Sequence, residues 1–366
     1  MVILILGGTG VMGTPLSKIL ADTGNLVFVT SRRERISQNA NIRYLVGNAK
    51  DNDFLQNLFS KSKYDVIIDF MSYKTEEFRK RVNMLLNATG HYVFISSSRV
   101  YAESKKTITE TSQRLLDVCK DKKYLKTDDY GLAKARQEDI LKETGKGNYT
   151  IIRPSVIYGS SRLQLGAFEK EHWLYRVLKG RSIVFSRDME NKLTAMTNAN
   201  DAAGAIASVA GNKLAFGKIF NIADGTSYAW GDILSIYLDA LETLIGKRPK
   251  VVMTERTIRL CDKSARTQIL NARGIDRHFD NSAIKAFYKK DFISPHEGLP
   301  MELRKFLQSP TFLSIDYRLE ALSDKAAKET TPLSEIPTFH KKVMYICYKN
   351  GCGWLYQIAV WLKSLV

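Results

Sequence analysis

Residues 2–13 read Val2-Ile3-Leu4-Ile5-Leu6-Gly7-Gly8-Thr9-Gly10-Val11-Met12-Gly13, an unbroken apolar run that passes straight into a GxxGxxG turn. A strand with no polar alternation is buried on both faces, which is the condition of a parallel sheet sandwiched between helices. The glycines suit a tight turn, a close approach of backbone to a pyrophosphate, and close packing of the next helix on the strand. Residues 14–22 read as that helix, amphipathic, with free N–H groups and a positive dipole end at its start. The unit is therefore expected to hold a dinucleotide through Gly7, Thr9, Gly10, Val11, Met12 and Gly13.

Outward from this unit the same rhythm repeats. Apolar, β-branched runs at 26–30, 42–46, 65–70, 91–96 and 149–154 alternate with helical stretches at 53–61, 76–88 and 130–144. The pattern predicts an α/β fold: a Rossmann-type doubly wound parallel sheet, with ligands at the carboxyl ends of its strands, and a smaller C-terminal substrate-binding lobe. Beyond Tyr158 the rhythm loosens, although 218–223 (KIFNIA) still reads as a strand. The expected division is a dinucleotide-binding domain over 1–157 plus the strand near 218–223, an interleaved lobe over 158–310, and a C-terminal extension over 311–366. Residues 323–338 are polar with two prolines and read as an exposed connector.

With 366 residues, 44% apolar and 25% charged, the chain can bury a sizeable core, and wholesale disorder is excluded. Four cysteines (Cys119, Cys261, Cys347, Cys352) are too few and scattered for a disulfide framework, which suits a reducing cytoplasm. The histidines His172, His278 and His296 lack metal-ligand spacing, and no metal is expected. No basic leader precedes the first strand, and no stretch approaches the roughly 20 apolar residues of a membrane span. The net charge of +17 points to a polyanion, a membrane surface or an anionic substrate without choosing among them. Trp354, Leu355, Ile358, Trp361, Leu362 and Leu365 recur at helical spacing after Lys341, Lys342 and Lys349. Two readings stand: an interfacial amphipathic helix that touches a membrane, or a helix that packs on the body or on a second subunit of a homodimer.

The second strand ends in Thr30-Ser31-Arg32-Arg33 with no carboxylate. An acidic residue there would bind a ribose 2′-hydroxyl, whereas Ser31, Arg32 and Arg33 suit a 2′-phosphate, so NADP is favoured and NAD remains open. Tyr130 and Lys134 stand four residues apart on one helix face. A phenol has a pKa of about 10, and a neighbouring ammonium brings it towards useful basicity. The run Ser96-Ser97-Ser98-Arg99 falls where the fifth strand stops, so a hydroxyl there can bind a substrate oxygen while Tyr130 moves its proton.

Together, GGTGVMG, DFMSY, ISSSRVY, YGLAK, IIRPSVIYG and FNIADG resemble the extended short-chain dehydrogenase/reductase superfamily. Within it they are similar to the NAD(P)-dependent nucleotide-sugar epimerase/dehydratase group, over residues 1–290. The resemblance implies a catalytic triad of Ser97, Tyr130 and Lys134, with Lys134 also holding the nicotinamide ribose. It implies that Asp69, Phe70, Met71, Ser96, Pro154 and Ser155 line the cofactor and that Asn48 and Asp51 lie near its adenine. Ser98 and Arg99 occupy the positions of the Asp-Glu pair of 4,6-dehydratases, on the substrate side. Arginine cannot abstract a proton at neutral pH, which argues against a dehydratase. Position 48 is asparagine where the group usually has aspartate. Arg277, before a DxSK-like segment that has Ala283 in place of lysine, matches the group's late arginine for the substrate diphosphate, with Arg273 as a second candidate.

The expected activity is an NAD(P)-dependent oxidoreductase or epimerase on a nucleotide-activated sugar, passing through a keto intermediate, with a keto-sugar reductase as the alternative. A rival of another class is an RNA-binding protein on the same fold, since relatives in chloroplasts resemble the Asp69–Met71 region and bind RNA. The intact Tyr130 and Lys134, and the lack of an aromatic-basic stacking ladder, weigh against nucleic acid. A third is a cofactor-bound redox sensor without catalysis.

Overall fold

A computed structural model describes residues 1–260, 263–354 and 356–357. The chain forms two compact units. The first comprises Met1–Gly159, Thr194–Ser227 and Asp276–Gly298, and the second Ser160–Leu193, Tyr228–Ile275 and Leu299–Val366. The first unit thus takes in 194–217, 224–227 and 276–298, stretches expected in the second lobe, together with 218–223, which was expected in the first domain. Residues 219–222 pair with the sheet, and the flanking segments travel with them.

The first unit is built on β1 (Val2–Leu6), α1 (Gly13–Asp22), β2 (Leu26–Ser31), β3 (Ile42–Val46), α2 (Asn52–Lys61), β4 (Tyr64–Asp69), α3 (Thr75–Asn87), β5 (Thr89–Ile95), α4 (Tyr130–Glu143), β6 (Tyr149–Pro154), α5 (Ala199–Val209) and β7 (Ile219–Ile222). Its seven strands lie in the order β7-β6-β5-β4-β1-β2-β3, all parallel. This is the Rossmann-type doubly wound sheet. The order reverses between β1 and β4, which opens a crevice beyond their carboxyl ends.

The two-residue period of a strand explains how one apolar run fills two cores. Ile3 and Ile5 join Val27, Val29, Val66 and Ile68 on one face, packed by Leu16 and Leu20 of α1 and Ala202 and Ile206 of α5. Leu4 and Leu6 join Ile67, Phe94 and Ile151 on the other, packed by Phe78 and Val82 of α3 and Ile140 and Leu141 of α4. Asp51 caps α2 by accepting from the Asp53 N–H at 2.9 Å, and Asp129 caps α4 by accepting from the Gly131 N–H at 3.1 Å.

The second unit corrects the reading of 323–338 as an exposed connector. Helix Tyr317–Ala327 is capped by Asp316 and ends at Lys328, whose φ of 57° is left-handed. Ser323, Asp324, Thr331 and Ile336 are all buried. The polarity serves two buried cations on helix Lys170–Leu178 and just after it. Arg176 donates to Glu320 (2.9 Å), Asp324 (2.8 Å) and Glu329 (2.7 Å). Arg181 donates to Glu335 at 3.1 and 3.2 Å. Acidic residues that look solvated in sequence are ion-pair partners in the fold. Of the C-terminal extension, helix Phe339–Lys349 is described, and Trp354 beyond it is exposed. Leu355, Ile358, Trp361, Leu362 and Leu365, on which the amphipathic-helix expectation rests, lie outside the described residues. Among the described residues no helix is long and apolar enough to cross a membrane.

Replacing Arg176 by methionine removes the cation that three carboxylates share and should cost about 3–5 kcal/mol. Arg32→Met, on an exposed loop, should stay within about 0.5 kcal/mol. Urea denaturation of the full chain measures both.

Candidate active site

The turn after β1 separates glycines the fold requires from one it does not. Gly7 takes φ +68°, and a Cβ there would meet the Met71 sulfur at 2.7 Å; its N–H is held by the Thr30 hydroxyl at 2.9 Å. A Cβ on Gly13 would strike the Gly8 carbonyl oxygen at 2.5 Å, so α1 starts against the turn only without a side chain there. At Gly10 an added Cβ would meet nothing within 4 Å. Internal packing therefore gives no reason for glycine at position 10, whereas a ligand approaching from outside does. Met12 adds no side-chain cap to α1, and the first turn carries no acidic residue, so the dipole end stays suited to phosphate. Thr9, Val11 and Met12 are half-buried around it. The residues present fit a dinucleotide pyrophosphate.

At the end of β2, Ser31 is buried and its hydroxyl donates to the Arg33 carbonyl at 2.8 Å, while Arg32 and Arg33 are exposed. Asn48 shapes the next loop: its side-chain oxygen accepts from the Lys50 N–H at 3.1 Å, and its carbonyl from the Asp51 N–H at 2.8 Å. Asp69, at the end of β4, is fully buried and accepts from the Met71 N–H (2.8 Å), the Tyr92 hydroxyl (2.7 Å) and the Tyr73 hydroxyl (3.1 Å). Burial pushes its carboxyl above the usual range. These bonds fix the loop that carries Phe70 and Met71.

Lys134 is 2% exposed. Its ammonium donates to the carbonyls of Ile95 (2.8 Å) and Met71 (3.2 Å) and lies 4.4 Å from the centre of the Phe94 ring. Burial lowers its pKa to about 8, while the charges of Asp69 and Glu138 pull it back up. Tyr130, one turn earlier and 38% exposed, carries the Arg99 guanidinium over its ring at 5.1 Å. The two side chains, so different in burial, line one cavity of about 220 Å³ with Lys50, Ser72, Lys74 and Asp128. The Ser97 hydroxyl accepts from the Arg99 N–H at 3.2 Å and so caps the short turn Ser98–Val100. That turn lies against the start of α4: a Cβ on Gly131 would meet the Arg99 carbonyl oxygen at 2.7 Å.

Ser96 is buried, and its hydroxyl donates to Glu138 at 2.5 Å. Glu138 also receives Arg153 through two bonds of 2.9 and 2.6 Å; Arg153 reaches the Tyr101 hydroxyl at 2.8 Å, which donates to Asn221 at 2.6 Å. This buried chain ties α4 to the ends of β5, β6 and β7. Sequence reasoning missed its centre, although Glu138 continues the face of Tyr130 and Lys134 by another four residues. Pro154 completes the pairing of β6 with Ile222, and the Ser155 hydroxyl lies 2.8 Å from that of Thr197.

The two candidate arginines are separated. Arg277 belongs to the first unit, not to the second lobe where the sequence reading put it. It is buried, and its guanidinium donates to the carbonyls of Ala102 (3.0 Å) and Tyr101 (3.1 Å), bracing the segment after Ser97. Burial lowers its pKa to about 10. Arg273 belongs to the second unit, buried, 5.6 Å from the centre of the Trp230 ring.

A family model described as NAD dependent epimerase/dehydratase family matches residues 3–223. Among curated proteins, the chain is similar to the chloroplast stem-loop binding protein of 41 kDa b of Arabidopsis thaliana. The two are 28% identical over 247 residues, 64% of this chain and 61% of that relative. The match thus spans less than two thirds of the relative's length. Among solved structures, the fold is similar to UDP-glucuronic acid 4-epimerase from Bacillus cereus in complex with NAD. There the identity is 16% and the TM-score 0.63, covering 84% of this chain and 99% of that one. It is similar also to dTDP-glucose 4,6-dehydratase from Bacillus anthracis in complex with NAD, at 15% identity and TM-score 0.62, covering 84% and 97%.

The glycine geometry makes a prediction. Gly10→Ala should leave the thermal midpoint within about 1 °C of the parent, consistent with a surface change. It should also weaken dinucleotide binding at least tenfold by calorimetry. Gly13→Ala should instead lower the midpoint by several degrees.

Proposed function

The chain belongs to the NAD dependent epimerase/dehydratase family, and from that premise we propose that it is a nicotinamide-dinucleotide-dependent oxidoreductase or epimerase acting on a nucleotide-activated sugar. The observation that carries this reading is the pairing of a buried ammonium, Lys134, with a partly exposed phenol, Tyr130, on one cavity beside the dinucleotide crevice. Gly7, Thr9, Gly10, Val11, Met12 and Gly13 would cradle the pyrophosphate, and Phe70, Met71, Ser96, Pro154 and Ser155 would flank the nicotinamide half. Asn48 would lie near the adenine. The exposed Arg32 and Arg33, with no carboxylate at the end of β2, favour NADP over NAD. When bound, the nicotinamide supplies a hydride acceptor and donor.

In this reading Tyr130 takes the proton from a sugar hydroxyl as that carbon is oxidised, and returns it when the ketone is reduced. The charge on Lys134 lowers the cost of forming the phenolate. Its fixed anchoring to Ile95 and Met71 keeps that charge in place without a rotamer search. Ser97 orients the reacting oxygen, and Arg99, stacked on Tyr130, adds a second cation at the phenol. Ser98 would contact the substrate. Asp69 and Arg277, whose polar atoms serve the protein's own groups, act as positioning residues in this scheme. Return of hydride to the opposite sugar face gives an epimerase; a keto sugar supplied from elsewhere gives a reductase.

A second reading keeps a specific observation behind it: the curated relative is named a stem-loop binding protein, and the net charge of +17 suits a polyanion. Salt separates the two. A nucleic-acid complex should lose affinity steeply between about 50 and 200 mM salt, with no turnover of any sugar nucleotide.

Four outcomes are expected. Denaturing the purified protein and identifying the released dinucleotide should yield NADP or NADPH for this reading; retention of the oxidised form supports the epimerase branch. Tyr130→Phe should cut kcat by about 10²–10⁴ with dinucleotide binding unchanged. The active form needs protonated Lys134, so kcat/KM should fall as pH rises through about 8. Asp69→Asn, which removes a neighbour that raises the lysine pKa, should move that limb to lower pH.

A further inference from the structure

Helix Phe339–Lys349 ends in a cap of defined geometry. Gly351 takes φ +80°, its N–H donates to the Tyr348 carbonyl at 3.2 Å, and the Cys352 N–H donates to the Cys347 carbonyl at 2.9 Å. These two bonds are the paired bonds of a Schellman motif. They make Cys347 the third-last residue of the helix and Cys352 the second residue past its cap. Side chains at these two positions meet across the cap, usually through an apolar contact. Here both are thiols. On a continuing helix, positions five apart would face roughly 140° away from each other; the left-handed glycine is what turns Cys352 back. Its sulfur lies 3.4 Å from the Cys347 carbonyl oxygen, and both cysteines are half-buried with free thiols.

We propose that Cys347 and Cys352 are a reversible redox pair, a dithiol that closes to an intramolecular disulfide across the helix cap when a small-molecule disulfide of the oxidised-glutathione class accumulates. One thiolate attacks the glutathione disulfide and expels a glutathione thiolate. The second protein thiolate attacks the mixed disulfide and expels the other. One S–S bond breaks and one forms; the two cysteines are oxidised, the glutathione disulfide is reduced to two thiols, and the two cysteine protons go to the leaving thiolates. Burial and the neighbouring Cys352 push the Cys347 thiol above its ordinary pKa, so exchange is slow at neutral pH and quickens as the pH rises. The helix itself is anchored, because the Tyr345 hydroxyl donates to Asp324 at 2.7 Å. Closure therefore fastens the turn Asn350–Cys352 to a fixed support.

The test uses the full chain carrying Cys119→Ser and Cys261→Ser, titrated with oxidised glutathione at pH 8 and followed by intact mass and peptide mapping. The expected result is loss of two hydrogens, a 347–352 crosslink, reversal by dithiothreitol, and slower amide exchange at Gly351 and Cys352. Cys347→Ser should abolish the crosslink. Gly351→Ala, which disfavours the left-handed turn, should slow closure about tenfold while leaving alkylation of the denatured protein unchanged. A glutathione adduct that persists on either cysteine, a disulfide-linked dimer, no reaction, or closure of Gly351→Ala at the parent rate would each overturn the proposal.

Discussion

An ammonium buried to 2% exposure is the constraint around which the candidate site is arranged. Taking such a charge out of water costs several kcal/mol unless it is met by polar groups. Lys134 is met by a carbonyl at the end of β5, by another in the loop after β4, and by the face of Phe94. Satisfying these contacts fixes the angle at which α4 leaves the sheet edge. It also demands that the loop after β4 be stiff, and the three hydrogen bonds to Asp69 stiffen it. Tyr130 inherits its position from that arrangement: it begins the helix, has less packing of its own, and shares the cavity because Lys134 cannot move.

Electrostatics and steric packing divide the work of holding the first unit together. Strand register and the two apolar faces hold β1 to β7, and these need only side chains of about the right size. The end of the sheet is held by directional bonds, with Glu138, Arg153, Tyr101 and Asn221 passing hydrogen bonds across the ends of β5, β6 and β7. The same separation recurs in the second unit, where Arg176 and Arg181 gather the acidic residues of 320–335. Each network must be complete to be stabilising, because a buried charge without its partner costs more than the pair returns.

Much of the fold was legible because most of its strands are buried on both sides. The six runs from β1 to β6 fall within two residues of the observed ends; β1, β2, β4, β5 and β6 stand out as largely apolar blocks, whereas β3 is an edge strand with Arg43 and Val46 exposed. The GxxGxxG turn and the Tyr130/Lys134 spacing were legible for a similar reason, since both are local patterns set by one turn or one helix face. What escaped depends on partners far away in the chain. Glu138 is one more polar residue on a helix until Arg153 and Ser96 are brought to it. The 323–338 stretch reads as solvent-facing until Arg176, some 150 residues earlier, claims its carboxylates. Arg277 reads as a cation waiting for an anion, whereas in the fold two backbone carbonyls occupy it.

The first unit is written into the chain in three instalments, with residues 160–193 and 228–275 intervening. On the ribosome, then, β1 to β6 can pair early, but the edge strand β7 emerges only after residues 160–193 of the other unit, and the segment 276–298 only after 228–275 as well. Until then the outer edge of β6 is an open template for pairing with a neighbouring nascent chain. Neither unit corresponds to a contiguous gene fragment, and a single recombination point anywhere between residues 160 and 298 would split both, so across that span the two have to be passed on together.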